Sequence, residues 1–163
     1  MSKTAEYCLI YTRNEDTKIM FSALCDKYSH LSMNFISINK ALFKKYHSIG
    51  YLSPYSFHRT MLLKLCPAID RIIILTANAI VNDDLWELYT TNMGDNYIAC
   101  CDDILYTKDN ASIFDVMFDT SIMLFNCKKI KEDNILETFD NFAFNRYDLP
   151  IKSIDYLYNS FFK

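Results

Sequence analysis

The sequence predicts an α/β protein, with a mixed, mainly parallel sheet flanked by helices in a single compact domain over residues 1–163. This length is enough for one hydrophobic core but short for two domains. Hydrophobic residues make up 51% of the chain and charged residues 23%, a balance typical of folded globular proteins. Apolar, strand-like runs alternate with segments of helical periodicity, and this β-α-β order favours parallel strands.

The first third of the chain shows this alternation directly. Residues 7–11 are continuously apolar and aromatic, as expected of a buried strand. Apolar residues then recur at helical spacing, and Asp16 or Thr17 can cap the first turn of that helix. The predicted elements are a strand over Tyr7–Tyr11, a helix from Thr17 to about Tyr28, a strand over Met33–Ile38 and a short helix over Lys40–Tyr46.

The rest of the chain continues the pattern. Ser53 can cap a helix and Pro54 suits its first position, so a helix is predicted to run to about Leu65. The aliphatic run Ile72–Leu75 has no polar face and predicts a central strand. Asp83 and Asp84 suit the N-terminus of a short helix. The remaining predicted elements are helices over Leu85–Tyr89, Lys131–Phe139 and Ser153–Phe162, and strands over Tyr97–Cys101 and Ile122–Phe125.

Several functional classes are disfavoured by composition. The longest apolar runs fall well short of the roughly 20 residues that cross a bilayer, and the N-terminus lacks the layout of a secretory signal, so a cytoplasmic location is expected. Only two glycines occur, which excludes a glycine-rich phosphate loop. The basic clusters are small, so no nucleic-acid partner is expected.

The six cysteines do not predict a metal or disulfide framework. No C-x-x-C pair occurs, and the cysteines lie in apolar runs, so buried free thiols are expected. The adjacent Cys100 and Cys101 would face opposite sides of a strand and could not readily chelate one ion.

Two segments, in order, are similar to the signatures of family 8 glycosyltransferases. Residues 74–88 read ILTANAIVNDDLWEL and resemble the family phrase Y-L-D-A-D-I-I-V-N-G-D-L-x-E-L. Residues 118–126 read FDTSIMLFN and resemble F-N-S-G-V-M-L-I-N. Upstream, residues 53–59 resemble the family helix that bears a tyrosine and an arginine. The resemblance covers roughly residues 6–140 and implies a GT-A fold with a nucleotide sugar bound at the carboxyl ends of the strands.

The resemblance also implies which residues would form the site. In the family, two aspartates hold a divalent cation, usually manganese, that bridges the donor diphosphate, and Thr76 and Asn78 occupy those positions here. The candidate nucleotide-sugar-binding residues are Tyr11, Thr12, Arg59, Thr76, Asn78 and Thr120. Asp119 is the candidate catalytic residue, with Asp102 and Asp103 as possible substitute acids. The family's C-terminal histidine ligand has no counterpart, because His30, His47 and His58 all precede the Ile72–Leu75 strand.

Three hypotheses follow for function. The leading hypothesis is a degenerate glycosyltransferase domain that does not catalyse transfer and acts by binding a sugar nucleotide, a glycan or a protein. The alternative is an active hexosyltransferase that moves a sugar from a UDP-sugar to a glycan or protein acceptor, possibly without metal. Only that active alternative would call for Mn²⁺ or Mg²⁺ as a cofactor. The third is an unrelated small α/β protein whose motifs coincide by chance.

Overall fold

The structure is a computed structural model of the chain. It describes residues 8–10, 15–28, 31–36, 40–43, 57–102, 118–145, 158 and 161–162. The chain forms two compact units, Met1–Lys45 and Tyr46–Lys163. One domain over residues 1–163 stays a prediction.

The first unit contains the predicted β-α-β arrangement. Its elements are β1 (Cys8–Ile10), α1 (Glu15–Lys27), β2 (Met33–Phe35) and a 3-10 turn at Lys40–Phe43. Strands β1 and β2 are parallel, with Cys8 opposite Met33, as the alternation predicts. Helix α1 begins at Glu15, two residues before the predicted start, and its first turn carries Glu15 and Asp16, whose charges suit the positive end of the helix dipole.

The second unit contains three strands and four helices among the described residues. Helix α2 ends at Leu65, before Pro67, as predicted; the predicted start at Ser53 lies outside the described residues. Asp84 accepts a hydrogen bond from the backbone N–H of Trp86 at 2.9 Å and so holds the start of α3. The elements are α2 (His58–Leu65), β3 (Arg71–Leu75), α3 (Trp86–Thr90), β4 (Ile98–Asp102), β5 (Phe118–Asn126), α4 (Cys127–Glu132) and α5 (Ile135–Asn145).

The sheet of the second unit has the order β3-β5-β4, and both pairings are antiparallel. Among the described strands the sheets are therefore mixed, as predicted, with one parallel pair and two antiparallel pairs. The middle strand is β5 and not the predicted β3. Burial agrees with this central position of β5, because its Met123, Leu124 and Phe125 are all 1% exposed or less. An aliphatic run alone does not reveal which strand lies in the middle of a sheet.

The predicted helix Lys131–Phe139 is two helices, α4 and α5, separated at Asp133 and Asn134. The backbone N–H groups of these two residues bond to the carbonyls of Lys129 and Lys131, which closes α4. Asn134 has φ +51°, a left-handed conformation that asparagine tolerates better than most residues. The chain can therefore turn there without glycine.

An aromatic cluster fills part of the core between α2, α5 and the end of the chain. Phe57, Phe139 and Tyr158 are fully buried. Phe139 lies 5.3 Å from Tyr158 and 5.0 Å from Phe161 between ring centroids. Of the predicted Ser153–Phe162 helix, only residues 158 and 161–162 are described, and they are helical.

The cysteines differ from the expectation of burial. Five of them are free thiols in the described part of the chain, but only Cys127 is buried, and Cys101 is exposed. Cys101 lies near the end of β4, next to Asp102, which is also exposed. No helix in the described ranges is long and apolar enough to cross a membrane.

Candidate functional site

Arg59 and Thr120 form the buried part of the candidate site. Arg59 lies in the first turn of α2, Thr120 lies in β5, and their exposed fractions are 6% and 1%. Nη1 of Arg59 donates a hydrogen bond to Oγ1 of Thr120 at 2.6 Å. The Arg59 Nε has no hydrogen-bond partner among the described residues. A buried guanidinium carries five N–H donors, so this side chain keeps donor capacity next to β5.

The end of β3 lies beside the same strand. The backbone N–H of Thr76, the first residue after β3, donates to the carbonyl of Ser121 at 2.9 Å. The Thr76 hydroxyl donates a hydrogen bond to Oδ1 of Asn78. Ala79 N–H bonds back to the Thr76 carbonyl at 3.0 Å, which closes a turn. Thr76 and Asn78 thus lie at the carboxyl end of β3, where open α/β sheets bind ligands, and they bond to each other.

Asp119 is an exposed neighbour of this group. Its Oδ1 accepts a hydrogen bond from the backbone N–H of Ser121 at 2.7 Å. The bond fixes one carboxylate oxygen close to the strand, and the Asp119 side chain is exposed. The pKa of the neighbouring Cys100 is raised to about 12, mainly by burial, with smaller contributions from Cys101 and Asp119. That thiol is therefore protonated at neutral pH and is not a nucleophile.

Asp102 does not join Asp119. In the register of β4 and β5, Asp102 is opposite Phe118 and Cys101 is opposite Asp119. Paired residues of a sheet share a face and successive residues alternate, so Asp102 and Asp119 project to opposite faces. A carboxylate pair made of these two acids is therefore not formed. Asp103, Tyr11 and Thr12 lie outside the described residues.

The residues at the predicted cation position do not fit a divalent metal. Thr76 and Asn78 supply neutral oxygens, and each already takes part in the hydrogen bond that joins them. Hard divalent cations in proteins prefer carboxylate oxygens. Within the described ranges, no group of three His, Cys, Asp or Glu residues could hold a metal ion.

A second polar cluster lies on the same helix as Arg59 and was missed by the sequence-based prediction. Nζ of Lys64, in α2, is 2.5 Å from Oδ2 of Asp140 in α5. Thr60, next to Arg59, is 1% exposed and donates to the Phe57 carbonyl at 2.8 Å. The only sequence signal for this cluster is an acid, Asp140, among the aromatic residues Phe139, Phe142 and Phe144. Its partner lies 76 residues away, too far for a local pattern to reveal.

Solved structures define the class of fold. The galactosyltransferase LgtC, determined in complex with donor and acceptor sugar analogues, is 19% identical with a TM-score of 0.73, covering 95% of this chain and 59% of that one. The bifunctional glycosyltransferase WbbM is 17% identical with a TM-score of 0.68, over 96% of this chain and 31% of that one. The glycosyltransferase GlyE of Streptococcus pneumoniae TIGR4 is 18% identical with a TM-score of 0.63, over 96% and 35%. The fold is therefore that of the GT-A glycosyltransferases, as predicted.

Sequence comparison identifies the family. The model for glycosyl transferase family 8 matches residues 3–163, and the chain belongs to this family. A Haemophilus influenzae protein named "Putative glycosyltransferase" is 26% identical over 157 residues, which is 91% of this chain and 47% of that protein. The chain thus spans about half the length of this curated relative. Membership confirms the predicted family and removes the hypothesis of an unrelated α/β protein.

Proposed function

We propose that this domain binds a nucleotide diphosphosugar without a metal ion and does not transfer the sugar. The observation that carries the proposal is the buried Arg59 guanidinium, which makes one side-chain hydrogen bond within the described residues and keeps Nε unbonded. Burying a charge with so few partners is unfavourable unless something else compensates it. A diphosphate or a row of sugar hydroxyls at the end of β3 would supply acceptors for those donors.

The neutral pair at residues 76 and 78 supports metal-free binding. Two aspartates at these positions would repel a diphosphate unless a cation lay between them, whereas Thr76 and Asn78 carry no charge. The arginine can then face the phosphate oxygens directly, and hydrogen bonds to charged groups contribute about 1.5–3 kcal/mol each. Relatives such as LgtC, solved with donor and acceptor sugar analogues, support the choice of a sugar nucleotide as ligand.

The chemistry of the leaving group favours the loss of transfer activity. In sugar transfer, negative charge develops on the departing nucleotide, and a cation stabilises it. The aspartate pair that would hold such a cation is replaced by neutral side chains. An arginine that binds the ground state and the transition state equally well would increase the affinity for the donor without accelerating sugar transfer.

The competing function is a metal-independent hexosyltransferase. Asp119 favours it, because this exposed acid accepts a hydrogen bond from the backbone N–H of Ser121, whose carbonyl accepts from Thr76. An exposed carboxylate there could act as a base toward an acceptor hydroxyl. Asp102 cannot share that role with it, because the two acids project to opposite faces of the sheet.

Calorimetric titration with UDP-glucose and UDP-galactose, with EDTA or with Mn²⁺, tests the proposal. We expect binding that is equal in both buffers and is weakened about 10- to 100-fold by Arg59→Met. Release of free UDP, with and without an acceptor glycan, is measured in the same samples. Metal-dependent turnover would overturn the proposal. Metal-independent turnover that is lost in Asp119→Asn would establish the competing function. Absence of binding would exclude both UDP-glucose and UDP-galactose as ligands. Arg71→Met is the matched control, since Arg71 donates to the Tyr89 and Thr91 carbonyls away from this site.

A further inference from the structure

Two deeply buried polar side chains of the second unit each keep one polar atom without a hydrogen bond. They are Nε of Arg59 and the hydroxyl of Tyr158, which have no partner of normal geometry among the described residues. Arg59 is 6% exposed and Tyr158 is fully buried. Folded proteins rarely leave buried polar atoms unbonded, because each such atom is destabilising. Packing alone therefore does not explain these two groups.

Tyr158 packs on α5, the helix that is paired with the helix carrying Arg59. Its ring stacks on Phe139 of α5 at 5.3 Å between centroids. Phe139 in turn lies 6.5 Å from Phe57, the residue that precedes α2. The next residue of α5, Asp140, forms the ion pair with Lys64 of α2. Two contacts from consecutive residues of α5 thus hold this helix and Tyr158 to α2.

The positive charge of Arg59 acts on the phenol hydroxyl of Tyr158 and affects its pKa. Burial raises the pKa of Tyr158 above its usual range, while the positive charge of Arg59 and the nearby Thr60 hydroxyl act in the opposite direction. The phenol is therefore neutral at physiological pH. Its oxygen can present a negative partial charge to a guanidinium, which a phenylalanine ring of the same shape could not do.

We propose that Tyr158 is a positioning residue for Arg59, restraining the guanidinium in the orientation that donates to Thr120. The inference rests on the proposed function, in which Arg59 binds the sugar nucleotide. The tyrosine need not touch the ligand. It restricts the orientations of Arg59 in the free protein, so that less conformational entropy is lost when the ligand binds.

Tyr158→Phe separates positioning from packing, because it removes one oxygen and keeps the ring. If Tyr158 only packs, removing an unbonded buried hydroxyl leaves Tm unchanged or raises it, and the affinity for UDP-glucose stays the same. If Tyr158 positions Arg59, Tm is again unchanged or raised, but the Kd for UDP-glucose rises by about 3- to 10-fold. Phe161→Leu is the control, since Phe161 contacts Phe139 and Phe142 in the same cluster. We expect it to lower Tm and leave Kd unchanged.

A measurement without ligand keeps this inference distinct from the proposed function. Hydrogen exchange of the Arg59 Nε–H is followed by ¹⁵N NMR in the free protein, with the resonance assigned from Arg59→Lys. We expect Tyr158→Phe to speed this exchange and Phe161→Leu to leave it unchanged. If UDP-glucose does not bind but the exchange accelerates, the proposed function fails and the positioning role stands. If UDP-glucose binds through Arg59 while Tyr158→Phe changes neither exchange nor Kd, the positioning role is overturned.

Discussion

Nη1 of Arg59 donates to Oγ1 of Thr120 across 61 residues of sequence, at 2.6 Å. The bond joins the first turn of α2 to strand β5, and both side chains are buried. The next residue of β5, Ser121, accepts from the backbone of Thr76. Strand β5 therefore holds both the arginine and the neutral pair at residues 76 and 78, and it is the element that assembles the candidate site.

Thr120→Val should lower the free energy of unfolding by about 1–3 kcal/mol, because valine keeps the shape of threonine but cannot accept the hydrogen bond of a buried charge. Urea unfolding measures the change. Thr120→Ser keeps the hydroxyl and should recover most of the loss. The exposed Thr91, which donates to the Glu87 carbonyl, provides a matched control: Thr91→Val should change stability by at most about 0.5 kcal/mol. Equal losses of stability in Thr120→Val and Thr91→Val would show that the buried hydrogen bond contributes no more than the exposed one.

Restoring the two acids should create a cation site. The double variant Thr76→Asp with Asn78→Asp supplies two carboxylates at the end of β3, and we expect it to bind Mn²⁺ in a calorimetric titration where the natural sequence does not. In EDTA, the same variant should bind UDP-glucose more weakly, because two negative charges then lie near the diphosphate. Asp83→Asn with Asp84→Asn, in the following turn, is the control for adventitious binding. Equal Mn²⁺ affinity in the natural sequence and the double variant would contradict the argument from neutral donors.

The match between sequence and structure is best where local pattern determines the element. Strand β3 differs from its prediction by one residue, because four consecutive aliphatic side chains have few alternatives to a buried strand. Asp84, which suits a helix N-terminus, likewise allowed the bounds of α3 to be predicted to within one residue. The order of the motifs was enough to predict the family to which the chain belongs.

Relationships across long sequence separations were not predictable in the same way. That β5 lies between β3 and β4 depends on pairing over tens of residues, and its first half, Phe118–Ser121, lacks the apolar run that marks its second half. The bond from Arg59 to Thr120 and the pair of Lys64 with Asp140 follow from that arrangement. Family resemblance identified Arg59 and Thr120 separately, but only the structure joins them.

Asp140→Asn should lower the free energy of unfolding by about 1–3 kcal/mol. The substitution removes the charge that faces Lys64 while nearly preserving shape, and Asp140 is only 7% exposed. The Lys64 side chain is 31% exposed and can turn partly to water, so the loss should stay below the 3–5 kcal/mol typical of fully buried pairs. Urea unfolding measures it. Glu132→Gln, which breaks the exposed 4.0 Å pair with Lys128, is the control and should change stability by about 0.5 kcal/mol or less.

Alkaline pH should destabilise the protein through the buried thiol of Cys127. Burial raises the pKa of Cys127 from 9.0 to about 11, and Cys127 is 4% exposed. The folded protein therefore keeps this proton at pH values where the unfolded chain has lost it. Stability due to this thiol is fully present below pH 9 and falls as pH rises toward 11, by at most about 1.4 kcal/mol per pH unit.

Urea unfolding with a reductant, at pH values from 8 to 10.5, measures this slope. Cys127→Ala removes the titrating group and should flatten the decline, although it lowers stability at every pH because a buried sulfur is lost. The comparison is therefore between slopes and not between absolute values. Cys101→Ala, at an exposed position, should leave the slope as it is. An unchanged slope in Cys127→Ala would mean that the alkaline loss comes from other groups, of which Cys100, with a pKa raised to about 12, is the next to replace.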